Sequence, residues 1–227
     1  MAAKMRNLTR LALIGGLLIL AVVVPSSAGT ASTFPDTQVA GYFTSGLAPT
    51  SVSATLVVPS FTCTGVQQDI IQTGLTSTEN VAGDEVLVNC SGSGQPAQYS
   101  TIVYSNEVDA AKLTVRSGDK VEMVLATTAA TTLTTERTTM TDVTTGRTVK
   151  VKTDWYGSPN NASFTLSRDD DTTPTFTKAT FSDMRVNGSM LTAATSFTQD
   201  MTSATSVIQV KPTAIVSGKG ALVFKHS

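Results

Sequence analysis

Histidine is almost absent from this chain of 227 residues: the only one, His226, is second from the end. A serine or cysteine triad would therefore depend on a frayed terminus. Cysteine is nearly as scarce, with Cys63 and Cys90 alone. Together these counts exclude a His/Cys-rich zinc site, and no CxxC spacing exists for a redox pair. Charged residues make up 15% of the chain. Residues 29–227 carry 13 basic and 17 acidic groups, a net charge of −4. Nucleic-acid binders concentrate positive charge, so no nucleic-acid partner is expected. Aromatic residues are few, at 6%. Helical periodicity is also missing: after residue 28 no window of a dozen residues repeats apolar groups at i, i+3, i+4 and i+7.

One long apolar run exists, Leu11–Val24. Its fourteen residues are too few to cross ~30 Å of hydrocarbon at 1.5 Å per residue. Lys4, Arg6 and Arg10 precede it, and Ser26-Ser27-Ala28 follows with small residues at the −3 and −1 positions of a cleavage site. Residues 1–28 thus read as a signal peptide, with Ala31 the next cutting point and an uncleaved anchor the alternative. The remainder, 29–227, reads as one exported domain that leaves the membrane once the signal is removed. An exported cysteine pair normally oxidises, so a Cys63–Cys90 disulfide is expected. Its loop would restrain the unfolded chain by about 3.5 kcal/mol in the chain-entropy model.

What is abundant is alternation. Val52, Ala54, Leu56 and Val58 recur at period two and end at Pro59. Val121, Met123 and Leu125 repeat the pattern, as do Phe164 and Leu166. Shorter runs precede Lys211-Pro212 and span Ala221–Phe224. Turn signals separate them: Ser91-Gly92-Ser93-Gly94, Ser117-Gly118-Asp119, Thr145-Gly146, Gly157-Ser158-Pro159-Asn160, Asn187-Gly188 and Gly218-Lys219-Gly220. Threonine is plentiful, and its β-branched side chain suits a half-solvated pleated surface. The threonine-dense run Thr127–Thr148 contains no proline and reads as paired strands rather than a mucin-like stalk. The expected fold class is all-β, an antiparallel β-sandwich of two bent sheets.

Several stretches in order resemble the eqolisins, the glutamic peptidase family of β-sandwich acid proteases. Ile70-Ile71-Gln72-Thr73-Gly74-Leu75 resembles the family's catalytic-glutamine motif. Val52–Pro59 is similar to its first long strand, and Ala40-Gly41-Tyr42 stands where a Trp-Gly-Gly start is usual. Ser117–Val121, Asp142–Arg147, Pro174-Thr175-Phe176 and Ala179-Thr180-Phe181 resemble its later strands and hairpins. The resemblance runs from Val39 to Asn187 and implies a concanavalin-like pair of sheets with a concave groove for a peptide or protein ligand. It implies no cofactor.

The departures matter most. The family's glutamate-bearing strand is matched by Ala162-Ser163-Phe164-Thr165-Leu166-Ser167-Arg168. Ser163 stands at the first glutamate and Ser167 at the catalytic one. The tryptophan before the glutamine motif is also missing; the only one is Trp155. The mechanism implied by the resemblance needs a carboxylate to take a proton from water and return it to the leaving amine. It also needs a donor for the oxyanion, which Gln72 can supply. A serine hydroxyl has no usable basicity without its own base, and losing a general base costs ~10²–10⁴-fold in rate. The expectation is a catalytically inactive relative whose groove is lined by Gln72, Ser163, Thr165 and Ser167. The alternative is an acid endopeptidase using Gln72 with Asp169, Asp170 or Asp171 from a shifted register.

Other features read more plainly. Asp169–Asp171 lack the spacing and glycine of an EF-hand, so no metal is expected there. Asn161-Ala162-Ser163 and Asn187-Gly188-Ser189 match the glycosylation sequon, a pattern frequent by chance. Tyr99 and Tyr104 are expected to fill a sheet face.

Overall fold

Period-two alternation folds here into strands alone: among the described residues there is no helix. The computed structural model describes residues 38–44, 48–77, 79–105, 108–128, 134–168, 173–192, 196–202, 208–212 and 222–226. The expected signal segment lies outside them, as do Asp169–Asp171.

Seven strands form one antiparallel sheet, in the order β15 (Ser196–Gln199), β1 (Val39–Thr44), β11 (Asn161–Arg168), β4 (Val66–Thr76), β5 (Val81–Ser91), β6 (Gln98–Ser105) and β7 (Val108–Ala111). The second sheet runs β10 (Arg147–Trp155), β9 (Thr134–Asp142), β8 (Lys120–Thr128), β2 (Ser51–Val57), β13 (Ala179–Val186), β18 (Leu222–His226), β17 (Ile208–Pro212) and β16 (Met201–Thr202). The short β14 (Ser189–Met190) pairs with β13, and β3 (Phe61–Thr62) pairs with β12 (Thr175–Phe176). His226, expected to fray, is held in β18 in register with Val210.

The two sheets meet over one apolar core. Val52, Ala54 and Leu56 from β2, with Val121, Met123 and Leu125 from β8, face Ile71, Val86 and Phe164 of the first sheet. Phe164 and Phe181 touch edge to face across the gap, with ring centroids 5.9 Å apart. Trp155 closes one margin, its indole N–H donating to the Gly157 carbonyl at 2.9 Å. Tyr99 packs against the core as expected, and its hydroxyl accepts from the Phe61 amide at 3.1 Å.

The turns follow their residues. Gly118 and Gly146 take positive φ, as does the pair Asn187-Gly188 between β13 and β14. That last pair is the favoured chemistry of a two-residue hairpin loop. Asn187 also ties down a neighbouring segment: its Oδ1 accepts from the Thr50 amide at 2.7 Å, and its Nδ2 donates to the Ala48 carbonyl at 3.0 Å. The other sequon asparagine, Asn161, lies in β11 and accepts from the Thr44 hydroxyl at 3.2 Å. From Thr134 on, the threonine-dense run supplies β9 and the turn into β10, with Asp142 accepting from the Thr144 amide inside the turn at 3.0 Å; residues 129–133 lie outside the described residues.

Cys63 and Cys90 are joined, with Cα atoms 5.4 Å apart. The bridge ties the approach to β4 onto the end of β5, one strand end from the site described next.

Candidate functional site

Strand geometry sorts β11 into two faces. Ala162, Phe164 and Leu166 point into the shared core. Ser163, Thr165 and Ser167 point the other way, on the outer face of the seven-stranded sheet. The register then places each of them. Ser163 pairs with Gly74, Thr165 with Gln72 and Ser167 with Ile70. The four expected groove residues therefore share one face of two adjacent strands.

This face is recessed, not solvated. Gln72 is 7% exposed, Ser163 8%, Thr165 4% and Ser167 6%. An outer sheet face normally meets water. Here a second apolar cluster, Ile70, Leu87 and Ile102, borders it and is itself buried.

The next strand changes the chemistry. Gln72 pairs across β4–β5 with Glu85, and Gly74 pairs with Gly83. Directly opposed residues of an antiparallel pair have Cβ atoms about 4.5–5.5 Å apart. The sequence offered Gln72 only Asp169, Asp170 or Asp171 as a carboxylate partner, and these lie outside the described residues; the register instead sets Glu85, 1% exposed, opposite it. Nothing in the β5 sequence announces this partner, because pairing between β4 and β5 is a tertiary fact. Asp69 and Arg168 are likewise brought into register, both fully buried on the core side.

Gly74 and Gly83 form a floor bare of side chains. A Cβ placed on Gly74 would lie 2.9 Å from the Ser163 Oγ and 3.3 Å from the Gln72 Nε2. One placed on Gly83 would lie 3.8 Å from the Glu85 Cγ and 3.9 Å from the Gln72 Cδ. Gln72 thus stands over the glycine pair, with the Ser163 hydroxyl on one side and Glu85 on the other. At the far side of β11, Gly41 is required: a Cβ there would meet the Thr165 Cγ2 at 2.5 Å and the Phe164 carbonyl at 2.9 Å.

Behind Glu85 lies a second buried acid. Asp84 points into the core, where its Oδ2 accepts from the Val124 amide of the opposite sheet at 3.0 Å. Its Oδ1 is buried without a hydrogen-bond partner. Burial pushes this carboxyl well above the usual carboxylate range, the Val124 N–H pulls it back, and the charges of Glu136 and Glu85 push it further up. Glu136 accepts from the Thr138 hydroxyl at 2.8 Å and the Thr153 hydroxyl at 3.1 Å.

No cluster of three or more His, Cys, Asp or Glu suited to a metal occurs among the described residues. No helix among them is long and apolar enough to cross a membrane.

This architecture has known counterparts. Scytalido-glutamic peptidase, solved with a transition state analog inhibitor, superposes with a TM-score of 0.68 at 18% identity, over 86% of this chain and 100% of its own. The fold is that of the glutamic peptidases. SCP-B, a member of the eqolisin family solved with the tripeptide Ala-Ile-His, gives 0.66 at 17% identity over 86% and 100%. Aspergilloglutamic peptidase from Aspergillus niger gives 0.53 at 16% identity, over 70% of this chain and 99% of its own. By sequence the chain matches no protein-family model and no curated protein. The glutamic peptidase fold is thus retained at an identity where individual site residues are free to differ.

Proposed function

We propose that this is an exported protein of the glutamic peptidase fold that binds an extended polypeptide along the Gln72 face. The observation that carries this reading is the convergence of Gln72, Ser163, Thr165 and Ser167 on one recessed face of adjacent strands. A carboxamide offers both donors and acceptors, and hydroxyls offer both. Such groups pair with the alternating N–H and C=O of an extended chain, and a recessed setting strengthens those bonds by excluding water. SCP-B was solved with a tripeptide on this same fold. The positions matched to the family's glutamates hold Ser163 and Ser167, so turnover through those two positions is not part of this function. Export is supported by the signal-like first 28 residues and by the Cys63–Cys90 bridge.

Titration of the mature protein with a peptide library tests the reading. The expected result is a ligand whose affinity falls at least tenfold in Gln72→Ala and in Ser167→Lys, with the fold intact by circular dichroism. A library without any binder overturns it.

A further inference from the structure

We propose that Asn187 is a self-modification site, a deamidation centre that the fold keeps latched and that reacts only when the β13–β14 tip lets go of β2. The site lies on the other sheet from the Gln72 face and does not depend on what binds there.

The sequence supplies the reacting pair. Asn187-Gly188 is the one Asn-Gly step in the chain. Glycine has no side chain to shield its amide nitrogen, and its free backbone lets that nitrogen reach the preceding carboxamide carbon. Asn187, Gly188 and Ser189 are all exposed, and a Cβ built on Gly188 would meet nothing within 4 Å. Water and hydroxide have open access, so burial does not protect the pair.

Conformation protects it instead. Asn187 has φ 52° and Gly188 φ 75°. In the left-handed region a residue's Cβ lies beside its own carbonyl oxygen, which leaves the next nitrogen on the far side of the Cα–C bond. The Gly188 nitrogen thus points away from the Asn187 side chain, and ring closure requires the peptide unit between them to turn over. The units on either side of it are held. The Asn187 amide donates to the Ser51 carbonyl at 3.0 Å, and the Arg185 guanidinium donates to the Gly188 carbonyl at 3.1 Å. The carboxamide is pinned as well. Its Oδ1 accepts from the Thr50 amide at 2.7 Å, the Thr50 hydroxyl at 3.1 Å and the Ser51 amide at 3.2 Å, while its Nδ2 donates to the Ala48 carbonyl at 3.0 Å. Three donors on Oδ1 would stabilise an oxyanion there, but only once the Gly188 nitrogen has reached Cγ, which the turn prevents.

The reaction balances with water alone. Hydroxide takes the Gly188 amide proton, and the nitrogen bonds to the Asn187 Cγ. The Cγ–Nδ2 bond breaks, and ammonia leaves with a proton from water. Water then opens the five-membered imide by breaking one of its two C–N bonds. Opening at Cγ gives aspartate; opening at the main-chain carbonyl gives isoaspartate, which adds one methylene to the backbone. Neither product refits the latch. A carboxylate has no proton to donate to the Ala48 carbonyl, and a lengthened main chain does not match a two-residue turn. Conversion marks each molecule that has opened.

The experiment holds the mature protein at pH 8, native and in guanidinium chloride, and follows the peptide carrying Asn187 by mass spectrometry for replacement of NH₂ by OH. Enzymatic methylation reads the isoaspartate. In denaturant, Asn187 should convert faster than any other asparagine; in the native protein it should convert at least tenfold more slowly. Thr50→Gly removes a donor and loosens the strap, and Arg185→Ala frees the Gly188 carbonyl. Each should speed native conversion severalfold and leave the rate in denaturant unchanged. Protein converted in denaturant and refolded should melt below the unconverted protein. Equal native and denatured rates in the wild type overturn the latch, and so do two variants that convert at the wild-type native rate. No conversion at Asn187 in denaturant overturns the site itself.

Discussion

Strand β11 has two faces that share a backbone and little else. Inward, Ala162, Phe164 and Leu166 are buried among apolar neighbours. Outward, Ser163, Thr165 and Ser167 are almost as buried, yet every one is a hydroxyl. From Ala162 to Ser167, burial therefore does not distinguish the two faces of the strand; polarity does. The nine-stranded sheet behaves otherwise. Its inner face is mostly apolar, with Glu136, Thr138 and Asp142 of β9 buried among the apolar side chains, and its outer face shows Glu122, Arg137, Lys150 and Lys152 to water. Lys150 and Lys152 lie on its edge strand β10, where charge discourages edge-to-edge pairing. The proposed function is assigned to the recessed polar face, and the solvated face of the other sheet is ordinary by comparison.

The contrast can be broken by substitution. Phe164→Ala removes a ring from the inter-sheet core and should cost about 3–5 kcal/mol. Ser163→Ala and Ser167→Ala, on the opposite face of the same strand, should each cost less than about 1 kcal/mol. Urea unfolding midpoints measure all three, and similar losses on both faces would mean that the outer face is a second core. Arg168→Met should approach the Phe164 effect, at about 3–5 kcal/mol, because the buried Asp69 carboxyl then stands opposite an apolar side chain. Adding Asp69→Asn should restore most of that loss, and a double variant no better than the single would show that the two groups are not coupled.

Removing the bridge, by Cys63→Ser with Cys90→Ser, should cost about 3.5 kcal/mol by loop entropy. Reduction of the native protein followed by thermal melting checks the same quantity.

Asp84 sharpens the comparison through pH. Its carboxyl titrates above the usual range in the folded protein, so over that interval the folded state holds a proton that the unfolded chain has released. The stability linked to Asp84 is fully present below the ordinary carboxylate pKa and is lost as pH rises through the raised value. Unfolding midpoints taken from pH 4 to pH 8 should therefore fall more steeply for the wild type than for Asp84→Asn. Equal slopes would mean that another group carries the dependence. The smallest effect belongs to the outer face of the other sheet: Lys152→Ser should change stability by less than about 0.5 kcal/mol.

Much of the sandwich was legible along the chain. Alternation marked β2, β8 and β11, glycine turns marked their ends, and the cysteine pair announced its own bridge. The grouping of Ser163, Thr165 and Ser167 followed from the period of a strand. Strand β5 was harder to see, because Asp84 interrupts the inward row of Ala82, Val86 and Val88 with a charge. That interruption hid the strand carrying the carboxylate beside Gln72. Asp84, Glu136 and the Asp69–Arg168 pair were missed for the same reason: charged residues read as surface until a structure shows what encloses them.

Residue order alone thus settled the class of fold and the composition of each strand face, since both depend on local stereochemistry and a repeat of two. Which strands lie side by side, and in what register, arose only when the chain closed on itself. Pairings such as Gln72 with Glu85 join positions whose meeting no local propensity encodes; shifting one strand by a single residue would turn every side chain to the opposite face.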